Sequence, residues 1–212
     1  MNKKLAALIG TAAVSTLALT VSVPAANATE TPLGTTSLAT VLDAGNQAFD
    51  RNWDDYDILT AAVNAVLAAK PDSAVGVLAN GSTELTAFIP NDRAFRRLVI
   101  NLTGKVRSLE TSVFNDVAGL GIDTVEAVLL YHVVVGPQIL SPAALAAGGA
   151  ALTTAQTGTL LVNVVGTSIE LVDKDTGINN ARVMLTAIDL NSGNKQIAHG
   201  IDRVLLPVKV SN

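Results

Sequence analysis

The sequence predicts a single α+β domain in which N-terminal helices pack around an antiparallel β wedge or sandwich. Over the first third apolar residues keep helical spacing, and from Leu152 onward short alternating apolar runs are separated by Gly, Asn and Asp clusters. A third observation is a change of period inside "AVLLYHVVVG", residues 127–136, where a tyrosine and a histidine interrupt an otherwise apolar run.

Helical spacing begins after Ser37, a suitable N-cap, with Leu38, Val41, Leu42 and Phe49. It resumes strictly after "DDYD" with Ile58, Leu59, Ala62, Val63, Val66 and Leu67. The acids ahead of this second helix suit the positive end of its dipole, and Pro71 closes it. In "ELTAFIP" the period becomes two, with Leu85, Ala87 and Ile89 alternating with Thr86 and Phe88, which reads as a strand. Pro90-Asn91-Asp92 turns that strand into a short helix carrying Ala94, Phe95 and Leu98, capped by Asn91 or Asp92. A further helix is expected from Asp123, three residues before Glu126 as in a capping box, with Val125, Val128, Leu129 and His132 on one stripe. Three valines and Gly136-Pro137 follow, so helix gives way to strand at Tyr131-His132. "LLVNVV", "SIELVD", "ARVMLTAIDL" and "QIAHGIDRVLLP" read as an antiparallel meander with hairpin turns at "KDTG" (174–177) and "NSGN" (191–194).

Residues 1–28 stand apart. MNKK supplies a positive end, LAALIGTAAVSTLALTVSV an apolar stretch, and Ala26-Asn27-Ala28 a small-residue site, the layout of a secretory signal peptide cleaved after Ala28. Ala, Thr, Ser and Gly dilute the apolar stretch, which argues against a retained membrane anchor. A linker over 29–36, the domain over 37–208 and a tail over 209–212 complete the expected organisation. Loss of Lys3 and Lys4 takes the net charge from −4 to −6, with 12 basic against 18 acidic residues. Such a surface lacks the basic footprint that nucleic acid demands and is repelled by anionic membranes. With no cysteine, there is neither a disulfide, a thiolate metal site nor a cysteine-linked lipid, so packing alone must hold the fold. A bacterial exported protein fits this combination. "LLPVKVSN" has neither an apolar tail nor a sorting signal, so a released monomer without a membrane span is expected.

Three stretches stand in a recognisable order: "TAFIPNDRAF" at 86–95, "VLLYHVVVG" at 128–136 and "IAHGIDRVLLP" at 197–207. Together they resemble the fasciclin domain family over Ser37 to Val208. The resemblance implies a fasciclin-like fold of the kind found in extracellular adhesion and matrix proteins. In the family a tyrosine-histidine pair marks the central block and, in animal members, is linked to integrin recognition; here the pair is Tyr131 and His132. Departures are Ile89 and Asn91-Asp92 where the family reads "TVFAPTNxAF", "GNKQIAHGID" where it carries Asn-Gly and "IHVID", and "FDRNWDDYD" as an insertion.

The residues themselves offer Tyr131 and His132 two roles, a buried hydrogen-bonding post or a pair presented to a partner. An unpaired buried imidazole costs roughly 1–3 kcal/mol, so a buried one is expected to be neutral and bonded. Trp53 and Tyr56, within "RNWDDYD", form the other candidate contact for a protein or glycan, unless Trp53 folds back onto the helix it introduces. Arg93, Arg96 and Arg97 share helical spacing as a small basic patch, a solvated face or a contact for an anionic polysaccharide.

No catalytic residue is assigned. The nearest approach to a G-x-S-x-G turn, "GTSIE" at 166–170, lacks the second glycine, and His132 and His199 are the only histidines. No metal set or cofactor is expected either. "DKDTGIN" resembles a calcium loop at Asp173, Asp175, Gly177 and Asn179, but its twelfth position is Met184 in place of a glutamate, so it reads as a solvated hairpin turn. The leading expectation is therefore a secreted adhesion or interaction domain binding a protein or polysaccharide of the matrix, cell wall or cell surface. The alternatives are a hydrolase using His132 or His199 as base, and a carrier of a small apolar ligand, which a deep apolar pocket would support.

Overall fold

The computed structural model describes residues 32–44 and 49–210. The signal peptide expected over 1–28, the first three residues of the linker and the last two of the tail lie outside the described residues.

Helix α1 (Leu38–Asp43) begins at Ser37, whose hydroxyl accepts from the Thr40 N–H. Helix α2 (Asp57–Ala69) follows, and Pro71 stands just beyond it. Strand β1 (Leu85–Pro90) turns at Asn91, whose Oδ1 caps helix α3 (Asp92–Thr103) by accepting from Ala94 N at 3.0 Å. Gly104, at φ 69°, closes α3 in the left-handed conformation. Helices α4 (Glu110–Ala118) and α5 (Ile122–Tyr131) come next, then strand β2 (Val133–Val135) and helix α6 (Ser141–Ala146). Strands β3 (Ala151–Thr153), β4 (Thr159–Val165), β5 (Ser168–Val172) and β6 (Ala181–Arg182) precede the last strand, β7 (Gln196–Ile201).

The strands form two sheets. One is the antiparallel meander β3-β4-β5-β6; the other has the order β2-β1-β7, with β1 antiparallel to β2 and parallel to β7. This three-stranded sheet lies between two apolar clusters. Leu85, Ala87 and Ile89 of β1, Val133 of β2 and Ala198 of β7 join the helical cluster with Ile58, Val63, Phe95 and Leu129. Phe88, Val134 and Ile201 point the other way, towards Leu160, Val162 and Leu171 of the meander. Every residue of β1 and β7 is buried, as a strand covered on both faces requires. The result is an α+β arrangement of helices, a central sheet and a second sheet.

Three expectations need correction. The C-terminal strands are not all one meander: β7 leaves it to pair in parallel with β1, where every one of its residues is buried and its polar side chains, Gln196 and His199, are bonded to backbone groups. "ARVMLTAIDL" is mostly not strand; after Arg182 it forms a 3-10 turn at Leu185–Ala187 and touches β7 through single bridges, Val183 to Ile201 and Leu190 to Ala198. Asp123 is not an N-cap; Gly121 takes that position, and Glu126 reaches away to Lys70 Nζ and Ser73 Oγ, tying α5 to the end of α2. Among the described residues no helix is long and apolar enough to cross a membrane.

Candidate functional site

His132 is the C-cap of α5, and its ring faces inward at 4% exposure. Nδ1 donates to the carbonyl of Val128, one turn back, at 2.7 Å, and Nε2 accepts from the Leu205 N–H at 2.9 Å. This assigns the proton to Nδ1, since Nε2 faces a donor. Burial pushes the imidazole pKa down to about 4, so the ring is neutral. Its backbone carbonyl meanwhile accepts from Phe88 N at 2.9 Å. One residue thus joins α5, β1 and the final segment. Tyr131, at 0% exposure, donates its hydroxyl to Thr159 O at 2.8 Å and packs in the cluster between the sheets. Burial pushes its phenol up to about 12.

His199 lies on β7, stacked on Phe88 with ring centroids 5.9 Å apart. Its Nε2 donates to Ile139 O at 2.8 Å and its Nδ1 accepts from the Asp189 N–H at 3.3 Å. The Asp189 carboxylate accepts from the Ser141 hydroxyl at 2.5 Å and from Ser141 N at 2.8 Å. The serine thus bonds the Asp189 carboxylate and the imidazole bonds the Asp189 backbone N–H, which is not the order of a Ser-His-Asp relay.

Trp53 and Tyr56 are half-buried and border the helical cluster. Trp53 turns towards α3: its carbonyl accepts from Arg93 N, and the Arg96 guanidinium sits 4.7 Å from the ring centroid. Burial, with the Asp55 charge, raises the Tyr56 phenol to about 12. The three arginines of α3 are each engaged, Arg93 with Asp54 at 2.9 Å, Arg96 with Trp53, and Arg97 with Asp202 at 3.2 Å. Arg93 and Arg97 therefore present paired charge to solvent.

Sequence reasoning did not locate a concave site, because its walls come from distant segments. A cavity of about 400 Å³ opens between α3, α4, α5 and the C-terminal segment, with Phe95, Leu98, Val128 and Leu206 inside and Leu102, Leu120 and Val208 at its exposed edge. Polar side chains enter its wall only at Asp123, Thr124 and Gln156. The calcium-like turn proves structural but not solvated: Asp175 is buried, Asp173 accepts from Asp175 N and Leu206 N, and Asp175 accepts from Gly177 N and Val210 N. Those carboxylates hold the chain end in place.

The family model for the fasciclin domain matches residues 58–207. Among solved structures, the fold is similar to that of a fasciclin domain pair from the insect cell adhesion molecule fasciclin I, with 14% identity and a TM-score of 0.54. The alignment covers 82% of this chain and 51% of that one, so this chain spans about half the length of the insect pair. No curated protein matches the chain. The matched stretch takes in every element from α2 to β7, with the Tyr131-His132 junction between helix and strand at its centre, and the chain belongs to the fasciclin domain family.

Proposed function

We propose that this protein is an exported, non-catalytic interaction module. It carries a signal peptide over residues 1–28, a linker over 29–36, a fasciclin domain over 37–208 and a short tail over 209–212. Released from a bacterium as a monomer, it attaches to a protein or polysaccharide of the matrix, the cell wall or another cell. The observation that carries this reading is the state of the histidines. All four ring nitrogens of His132 and His199 are bonded to backbone groups, which leaves neither imidazole free to take a proton from a nucleophile. Family membership and the adhesive role named for the insect relative support it further.

The test is retention of the processed domain on purified cell-wall and matrix fractions, with Trp53→Ala and His132→Ala beside the parent. Trp53→Ala is expected to weaken retention by more than its lost packing against the helical cluster lowers stability, and His132→Ala to act only as far as it unfolds the domain. Turnover of an ester, amide or glycoside that disappears in His132→Gln or His199→Gln would overturn the reading.

A second reading, carriage of a small apolar molecule, rests on the cavity of about 400 Å³ and its almost wholly apolar wall. An apolar fluorescent probe should bind with one-to-one stoichiometry and be excluded by Ala127→Phe, which fills the wall of α5. Equal binding by that variant would refute carriage in this cavity.

A further inference from the structure

The first residues of α2, α3 and α4 are Asp57, Asp92 and Glu110, and the fold brings all three together. One oxygen from each lies within 4.8 Å of the others, and Asp57 shares a second such group with Asp50 and Asp55. An acid at a helix start is ordinary, because its carboxylate meets free backbone N–H groups. That accounts for one oxygen of some of these residues. Asp92 Oδ1 accepts from Ile58 N at 3.0 Å, and Glu110 Oε2 accepts from Arg51 N at 2.9 Å.

It does not account for the second oxygen of each carboxylate. Asp57, Asp92 and Glu110 are 5%, 0% and 1% exposed, yet Asp57 Oδ2, Asp92 Oδ2 and Glu110 Oε1 have no hydrogen-bond partner, and neither does the buried Oδ1 of Asp55. The neighbouring charges that raise Asp55, Asp57, Asp92 and Glu110 are those of other carboxylates, Asp50 among them. Burial and this mutual repulsion push Asp57 up to about 6 and Asp92 to about 8. Three buried carboxylates this close, each with an unpartnered oxygen, are a donor set that a bound cation would satisfy.

We propose that these side chains form a divalent-cation site of the calcium class, with Asp57, Asp92 and Glu110 as buried ligands and Asp55 and Asp50 completing it towards solvent. An all-oxygen, strongly anionic donor set favours a hard cation over zinc or copper, which prefer nitrogen and sulfur. Carboxylates of differing length and reach suit calcium, which takes six to eight oxygens in loose geometry, better than magnesium with its strict octahedron. Asp50 is exposed and Asp55 half-buried, so the cluster reaches solvent along this edge. A cation here would fasten the segment from Asp50 to Asp57, already bonded through Asp55 O to Asp92 N and Trp53 O to Arg93 N, onto the starts of α3 and α4. The site does not depend on the adhesive role, so either can fail alone.

The test is thermal unfolding of the purified protein, stripped with a chelator and titrated with calcium or magnesium chloride, with heats of binding measured in parallel. At a tenfold excess over Kd, calcium should raise the unfolding midpoint by about 3–6 °C, and magnesium by less. Asp92→Asn and Glu110→Gln should lose the response. In chelator they should unfold at or above the temperature of the parent, because a neutral isostere removes repulsion. Absence of both heat and midpoint shift at about 10 mM calcium, above the ~10⁻³ M range of weak extracellular calcium modules, would overturn the proposal. A shift with magnesium alone would overturn the calcium assignment, and an undiminished calcium shift in both variants would overturn the location. The wild-type titration decides the question of binding even where a variant fails to fold.

Discussion

Replacing His132 with glutamine should remove a specific part of the pH dependence of stability. In the folded chain burial holds the imidazole pKa near 4, against 6.5 for a free ring. As pH falls, the unfolded chain therefore takes up the proton first, and the stability that rests on the neutral ring is complete above about pH 7 and is lost between 6.5 and 4. From those two values the loss is about 2 kcal/mol at pH 5 and about 3 kcal/mol at pH 4. Glutamine offers an acceptor for the Leu205 N–H but cannot titrate. Urea unfolding of both proteins from pH 7.5 down to pH 4 would give the difference in stability, in which the titration of every other group cancels. That difference should shrink by about 3 kcal/mol in favour of the variant as the pH falls. Two parallel profiles, separated by a constant amount, would show that the ring is not held neutral by the fold, and the bracing argument would fail.

Other substitutions test the packing around the same junction. Gly158→Ala would place a methyl group 2.5 Å from Cε2 of Tyr131, so calorimetry should show a loss of about 1–3 kcal/mol, relieved when Tyr131 is shortened to leucine. Gln196, fully buried, accepts from Leu38 N and donates to Val77 O and Asn80 O; both carbonyls keep a backbone donor, from Asn80 N and Thr83 N, so Gln196→Leu strands the Leu38 N–H and should cost about 1–3 kcal/mol in denaturant unfolding. Arg96→Ala uncovers the only tryptophan, so acrylamide should quench its fluorescence more strongly, while stability falls by no more than about 1 kcal/mol.

The elements with strong local signals were legible in the sequence. Ser37 and Asn91 cap the helices they were expected to cap, and the period changes at Tyr131-His132 where α5 meets β2. Less legible were elements whose apolar faces are short. Helix α4 buries only Val113 and Val117 of its apolar residues, and α6 only Ala144, too few to set a period, although Ser141-Pro142 marks the start of α6. The partner of β7 was hidden for a different reason. A strand apolar on both faces shows that it is covered, not which neighbour covers it. The acids at 57, 92 and 110 each had a sufficient local explanation as helix starters, and only tertiary structure shows that the three starts coincide. The two inward-facing rings were the reverse case, with a functional look in the sequence and a backbone-bonding geometry in the fold.

The parallel pairing of β1 with β7 also bears on how the chain reaches this state. The central strand cannot acquire its second neighbour until Gln196 to Ile201 exist, and the segment that follows them supplies the Leu205 N–H to His132. Everything between β1 and β7 must be synthesised before the middle layer can close, which makes folding slow and strongly non-local. Chains ending before residue 196 should stay open along one edge of β1, vulnerable to proteases and to pairing with other unfinished copies.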